Sequence, residues 1–188
     1  LKTQFLTTDQ IVALTTAEAA QLTVAQINAL TSAQFVKLDT ADIAALSNGV
    51  ISSLGTRAIN AITDAQVTAL NSSQVASLTT SQLNSLTNID KIDPSDLAAV
   101  SAANFSKLSS TQLANLSTAQ ANALTVAQVK ALSTTQISQL DAADVGAFNT
   151  AVIASLATNQ LVALTTAQAS QITTAQALAL SATQLSAM

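Results

Sequence analysis

The sequence has no cysteine, histidine, tryptophan or tyrosine, one proline and three glycines. Without cysteine there are no disulfide staples and no thiolate metal sites. Without histidine, cysteine or tyrosine the abundant serines and threonines have no evident base beside them, so nucleophilic catalysis has no constellation to use. No glycine-rich phosphate loop occurs. Charged residues are only 9% of the chain, against about a quarter in ordinary globular domains. The basic residues Lys2, Lys37, Arg57, Lys91, Lys107 and Lys130 are scattered, and the net charge is −4. No stripe for phosphate neutralisation exists, which argues against nucleic acid as a partner. No apolar run reaches the roughly 20 residues of a membrane-spanning helix, so no transmembrane segment is expected. Low charge accompanies disorder only when hydrophobicity is low as well. Here mean hydropathy is +0.43 and Leu, Ile and Val recur regularly, so the chain is expected to fold.

What recurs is an octapeptide. From Leu6 the chain reads LTTDQIVA, LTTAEAAQ, LTVAQINA, LTSAQFVK and LDTADIAA; further on come LTTSQLNS from Leu78 and LTVAQVKA from Leu124. The consensus is Leu, Thr/Ser, x, x, Gln, Ile/Val/Leu, x, Ala. One unit, residues 86–91, has six residues, after which the register resumes at Ile92. Thr or Ser at position 2 with Gln at position 5 spells a capping box, and the apolar residues at 1 and 6 flank it as a hydrophobic staple. Thr7 with Gln10, Thr23 with Gln26, Thr125 with Gln128 and Thr165 with Gln168 are predicted structural caps. Asp93 followed by Pro94 fits the same scheme, with proline at the first helical position.

A helix start every eight residues excludes one long helix. Eight residues at 100° each leave about 80° of drift per repeat, so no single face would stay apolar. A strand fails too, because positions 1 and 6 would point to opposite faces. The expected fold is all-α: a solenoid of short capped helices, one per octad, spanning residues 1–188 as a single array with a register slip at 86–91. Eight ordered residues cost more than two buried side chains return, so stability must come from stacking neighbouring repeats. Alanine at positions 4 and 8 is expected to let adjacent helices approach. Glycine is too rare to end the helices, so the next N-cap is expected to turn the chain.

A longer period overlies the octad. LDTADIAA, IDPSDLAA and LDAADVGA each carry Asp at positions 2 and 5, and six octads separate one from the next, plus the short unit in the first interval. Val50 and Val152 replace Gln in the octads after the first and third. About six octads therefore form a super-repeat, expected to equal one superhelical turn. Asp39 with Asp42, Asp93 with Asp96 and Asp141 with Asp144 read as capping boxes with Asp in both roles. Their alternative is a calcium site where two turns meet, since calcium takes six to eight oxygens. No other metal site and no cofactor is expected. The Gln series could form a polar ladder, and the Thr/Ser rows an ice-binding or O-glycosylated face, but capping already employs these groups. The phenylalanines Phe5, Phe35, Phe105 and Phe148 sit mostly at core positions.

The LTTAQ core at residues 164–168, with small changes at 6–10, 22–26 and 116–120, resembles the Ala-Leu-Thr-Thr-Ala-Gln octapeptide-repeat regions of large bacterial secreted and cell-surface proteins, often adhesin-like. The resemblance implies an extracellular spacer, adhesin stalk, or filament or surface-layer subunit, and supplies no active-site residues. Low charge and terminal segments that do not look like polar caps point to self-association. The chain reads as a processed product or an excerpt of a longer array. The alternative from a different class is a binding module for a cell-surface glycan, a peptide or ice.

Overall fold

The structure, a computed structural model, describes residues 6–188; Lys2 and Phe5 lie outside the described residues. Among these there are 22 α-helices, numbered in chain order from α1 (Thr8–Val12) to α22 (Ala182–Leu185), and no strand. Helices this short cannot stand alone in water. Most are started by a side-chain cap: at Thr23, for example, the N-cap residue is extended (φ −85°, ψ 161°) and its side chain accepts the N–H three residues on. No described residue has a positive φ, so no helix ends in a left-handed cap. The chain instead leaves through an extended or right-handed residue and enters the next cap, as where Leu78 (φ −60°, ψ 133°) leads into Thr79.

Most helices pack against the third helical element after them, the 3-10 helix counted among these. Thus α2 (Thr16–Ala19) touches α5 (Thr40–Ala45), which touches α8 (Asp64–Thr68), while α14 (Thr118–Ala123) touches α17 (Ala142–Ala147), which touches α20 (Thr166–Ala169). The six-residue unit keeps the pattern. It forms a 3-10 helix at Ile89–Lys91 that packs on α8 and buries Ile89. The chain divides into two compact units, the first ending at Ala99 and the second running Val100–Met188. Each is a repeat solenoid whose core is filled by positions 1 and 6: Leu38, Ile43, Leu46 and Ile51 in the first, Leu132, Ile137, Leu140 and Val145 in the second. Phe35, Phe105 and Phe148 are buried among them.

Two expectations are corrected. Contacts recur every three elements, so one coil takes about half of a six-octad super-repeat. The Asp-bearing helices accordingly pack on other partners, α5 on α2 and α8, α11 (Pro94–Leu97) on α9 (Ser72–Ser77), and α17 on α14 and α20, because each helix meets the element one three-octad coil away. Alanine at position 4 is also not an approach point. Ala25, Ala65, Ala119 and Ala127 are exposed, because position 4 lies on the first turn opposite the core and there serves helix propensity alone. Position 5, the glutamine, faces inward instead.

Candidate functional site

The polar groups that recur with the octad are committed to the backbone. The Thr7 hydroxyl accepts the Gln10 N–H at 3.2 Å while Gln10 Oε1 accepts the Thr7 N–H at 2.8 Å. The same box forms at the other predicted caps. The Thr23 hydroxyl accepts the Gln26 N–H at 3.3 Å, and Gln26 Oε1 accepts the Thr23 N–H at 2.9 Å. The Thr125 hydroxyl accepts the Gln128 N–H at 3.2 Å, and Gln128 Oε1 accepts the Thr125 N–H at 2.9 Å. At Thr165 and Gln168 the two bonds are 3.2 and 2.8 Å.

The two members of each predicted box take the different places a capping box requires. The cap is the threonine alone, because only it has the extended backbone of a helix boundary. Gln26 and Gln128 stand third inside their helices, α3 (Val24–Asn28) and α15 (Val126–Lys130), and reach back to it. Nor are they equivalent: Gln26 is half-buried, whereas Gln128 is buried.

A box uses only the amide oxygen. The amide nitrogen has a second task, which the sequence pattern did not reveal. Gln128 Nε2 donates to the Val100 carbonyl at 2.9 Å. Gln82 Nε2 donates to the carbonyls of Ile51 and Leu54 at 2.8 and 3.0 Å. Gln66 does so to Phe35 and Leu38, both at 3.0 Å, and Gln168 to Ile137 and Leu140, both at 2.8 Å. These acceptors lie at the C-terminal end of a helix in the preceding coil, 28 and 31 residues back. Buried carbonyls need partners, and with no left-handed cap the incoming amide supplies them. One glutamine thus closes the start of its own helix and the end of another. The signal was in the sequence. A capping box accepts Glu as readily as Gln, yet position 5 holds one Glu, at the exposed Glu18, and many Gln, because the amide adds an N–H donor that a carboxylate lacks.

Where the glutamine is missing, the coils show gaps and substitutes. Gly55 heads α7 (Thr56–Ala61) with no side-chain cap, and Ala58 stands at position 5. Arg57 Nη1 reaches the Leu30 carbonyl at 3.4 Å, the acceptor a glutamine at 58 would take. Asn28 Nδ2 donates to the Ser53 carbonyl at 2.8 Å and its Oδ1 accepts the Gly55 N–H at 2.9 Å. A cavity of about 290 Å³ remains beside Leu30, Arg57 and Ala58. A second, of about 200 Å³, is lined by Ser52, Ser53, Thr56, Thr79 and Ser81 among others.

The aspartate octads follow their own rule. Asp39, Asp93 and Asp141 cap their helices, but each accepts the N–H two residues on, from Ala41 at 2.8 Å, Ser95 at 2.9 Å and Ala143 at 2.8 Å. The expected capping box with Asp in both roles is corrected accordingly, because each outer carboxylate closes an Asx turn onto the N–H two residues on instead of taking the third. The inner aspartates face hydroxyls of the coil before. The Ser72 hydroxyl donates to Asp96, and Thr16 and Thr118 lie against Asp42 and Asp144. Burial pushes the Asp42 carboxyl above its ordinary value. Hydrogen bonds from the Asp39 N–H and Thr16 pull it down less, and Asp39 and Glu18 add to the rise. Burial likewise raises Asp144, opposed by Thr118 and aided by Asp141. The exposed Asp93 is lowered by the Ser95 hydroxyl and N–H, and Glu18 by the Thr15 N–H and hydroxyl. Lys91, paired with Asp90 at 2.6 Å, is raised by that neighbour. The helices of the three aspartate pairs pack on other partners, α5 on α2 and α8, α11 on α9, and α17 on α14 and α20, and among the described residues no three Asp, Glu, His or Cys side chains gather as a metal would need. No described helix is long and apolar enough to cross a membrane.

No curated protein matches the chain. The family model described as ALTTAQ repeat matches three times, over residues 35–72, 89–126 and 137–174. Each match opens four residues before Asp39, Asp93 or Asp141, so the repeat defined by the family is in phase with the aspartate octads. With more than half of its length matched, the chain belongs to the ALTTAQ repeat family.

Proposed function

We propose that the chain is a non-catalytic structural module of an extracellular or cell-surface protein, acting as a self-assembling filament or surface-layer subunit or as an adhesin stalk. The observation that carries this reading is the destination of its polar side chains: the cap hydroxyls and both ends of the glutamine amides hold backbone in place, as at Gln66 and Gln168. A low density of charge leaves little repulsion between copies. Electron microscopy of the purified chain tests the proposal. Filaments or sheets assign a lattice subunit, and discrete uniform rods assign a spacer. Particles of varied, irregular shape overturn both.

A glycan-binding reading rests on the hydroxyl-lined cavity at Ser52, Thr56 and Ser81 and its neighbour beside Arg57. A glycan array in which a hit is lost on Arg57→Ala would support it, and an array with no hits would remove it.

A further inference from the structure

Position 5 of the octad is a donor slot. In it Gln66, Gln74, Gln82, Gln160 and Gln168 each present an N–H to carbonyls of the preceding coil. Asp42 and Asp144 occupy the same slot, each only 2% exposed, and in each the Oδ2 atom is buried without a hydrogen-bond partner. An ionised carboxylate accepts hydrogen bonds only, whereas a neutral carboxyl carries one O–H that can donate as an amide does. The ladder's step of 28 residues points from Asp42 to the Leu14 carbonyl and from Asp144 to that of Leu116, both oxygen acceptors.

The surroundings of both sites are the same in kind. The helix below offers a threonine hydroxyl to one carboxyl oxygen, Thr16 or Thr118. That helix also carries Ala at position 6, Ala19 or Ala121, fully buried, which lets the shorter aspartate approach. No positive charge faces either carboxyl from the helices in contact. α5 touches α2, which carries Glu18, and α8, which carries Asp64, and its own cap is Asp39. α17 touches α14 and α20, neither of which has a titratable side chain, and its own cap is Asp141.

We propose that Asp42 and Asp144 are acid-set latches between neighbouring coils, each clasping the coil before it when its carboxyl is neutral and loosening that contact when it is ionised. An unpaired buried charge is costly, so the loosened state is the one at higher pH. The sign follows from linkage. A carboxyl raised in the folded state contributes stability that is fully present below its ordinary value of 3.8 and is lost as pH rises through the raised value. Glu18 and Asp93 act in the opposite sense: their lowered values give stability that is present at neutral pH and lost in acid. Removing the two latches therefore isolates their share.

The test is thermal unfolding of the full chain at pH 4 and pH 7, for the wild type and for Asp42→Asn with Asp144→Asn. The amide variant stays neutral at both pH values. It should melt roughly 2–4 °C above the wild type at pH 7 for each kcal/mol recovered, with the gap closing at pH 4. A variant whose difference from the wild type is the same at both pH values, or which melts lower at pH 7, overturns the proposal. Carboxyl carbon NMR of the wild type gives an independent reading should the variant fail to fold. Both carboxyls should titrate above the other aspartates, and titration at or below 3.8 overturns the latch.

Discussion

Residues 46–61 and 62–85 contain the same octad, the same short helices and the same buried positions 1 and 6, yet their coils are joined differently. In the second stretch Gln66, Gln74 and Gln82 are buried and tie each helix to the coil before it. In the first, Val50 and Ala58 stand in the glutamine slots, Gly55 replaces a cap, and cavities flank the helix that follows. Helices form in both, so the cap hydroxyl and the apolar staple suffice to make a helix. The amide nitrogen adds a tie from each helix to the coil before it. Arg57 shows the chain recruiting another donor for the Leu30 carbonyl that the amide would have reached.

The sharpest way to break this comparison is Gln74→Glu. The carboxylate keeps an acceptor for the Asn71 N–H but loses the donor to the carbonyls of Ile43 and Leu46, both at 2.8 Å. A buried charge facing carbonyls should cost about 2–4 kcal/mol in urea unfolding at neutral pH. The same change at exposed Gln10 should cost little; equal costs would show that the amide nitrogen is not what joins coils.

Close approach is probed next. A Cβ on Gly146 would lie 3.0 Å from the Gln171 carbonyl oxygen, so Gly146→Ala should destabilise by about 1–3 kcal/mol. At Gly49 the nearest atom is 3.9 Å away, and Gly49→Ala should raise stability by up to about 1 kcal/mol through helix propensity. Denaturation midpoints of the two variants should move in opposite directions.

Repair is a smaller effect. Ala58→Gln restores the missing donor to Leu30 and should stabilise by about 1 kcal/mol, with a crystal structure showing Arg57 released from that carbonyl. Ala157→Thr should add about 1 kcal/mol: Ala157 has only the return bond from its N–H to Gln160 at 3.0 Å, whereas Thr165 has both halves of the box. Calcium is expected to have the smallest effect, leaving the melting temperature unchanged, because no three acidic side chains gather among the described residues.

Much of this arrangement was legible beforehand. The boundary between an apolar position 1 and the cap at position 2, most often Thr or Ser, marked the helix starts, and Leu and Ile at positions 1 and 6 marked the core. The second role of glutamine was legible in principle, in the preference for Gln over Glu, but capping alone accounted for each residue and so concealed it. Gln26 and Gln128 are preceded by the same Leu-Thr-Val-Ala, yet one is half-buried and the other buried, a difference set by what packs over each. The aspartate octads were recognised as a longer period, but their spacing in sequence carried no information about the size of a coil. The burial of Asp42 and Asp144 depended on which helix came to lie beneath them.

The sequence by itself determined where each helix begins, because a capping box joins residues three apart and needs nothing from the rest of the chain. It also determined which side chains are apolar enough to require a core. Tertiary structure decided how many octads make a coil, which carbonyls each amide meets, and which carboxyls lose their water. Those contacts join residues 24 to 31 apart, and their geometry comes from the accumulated angle of several extended links, a quantity no single octad encodes.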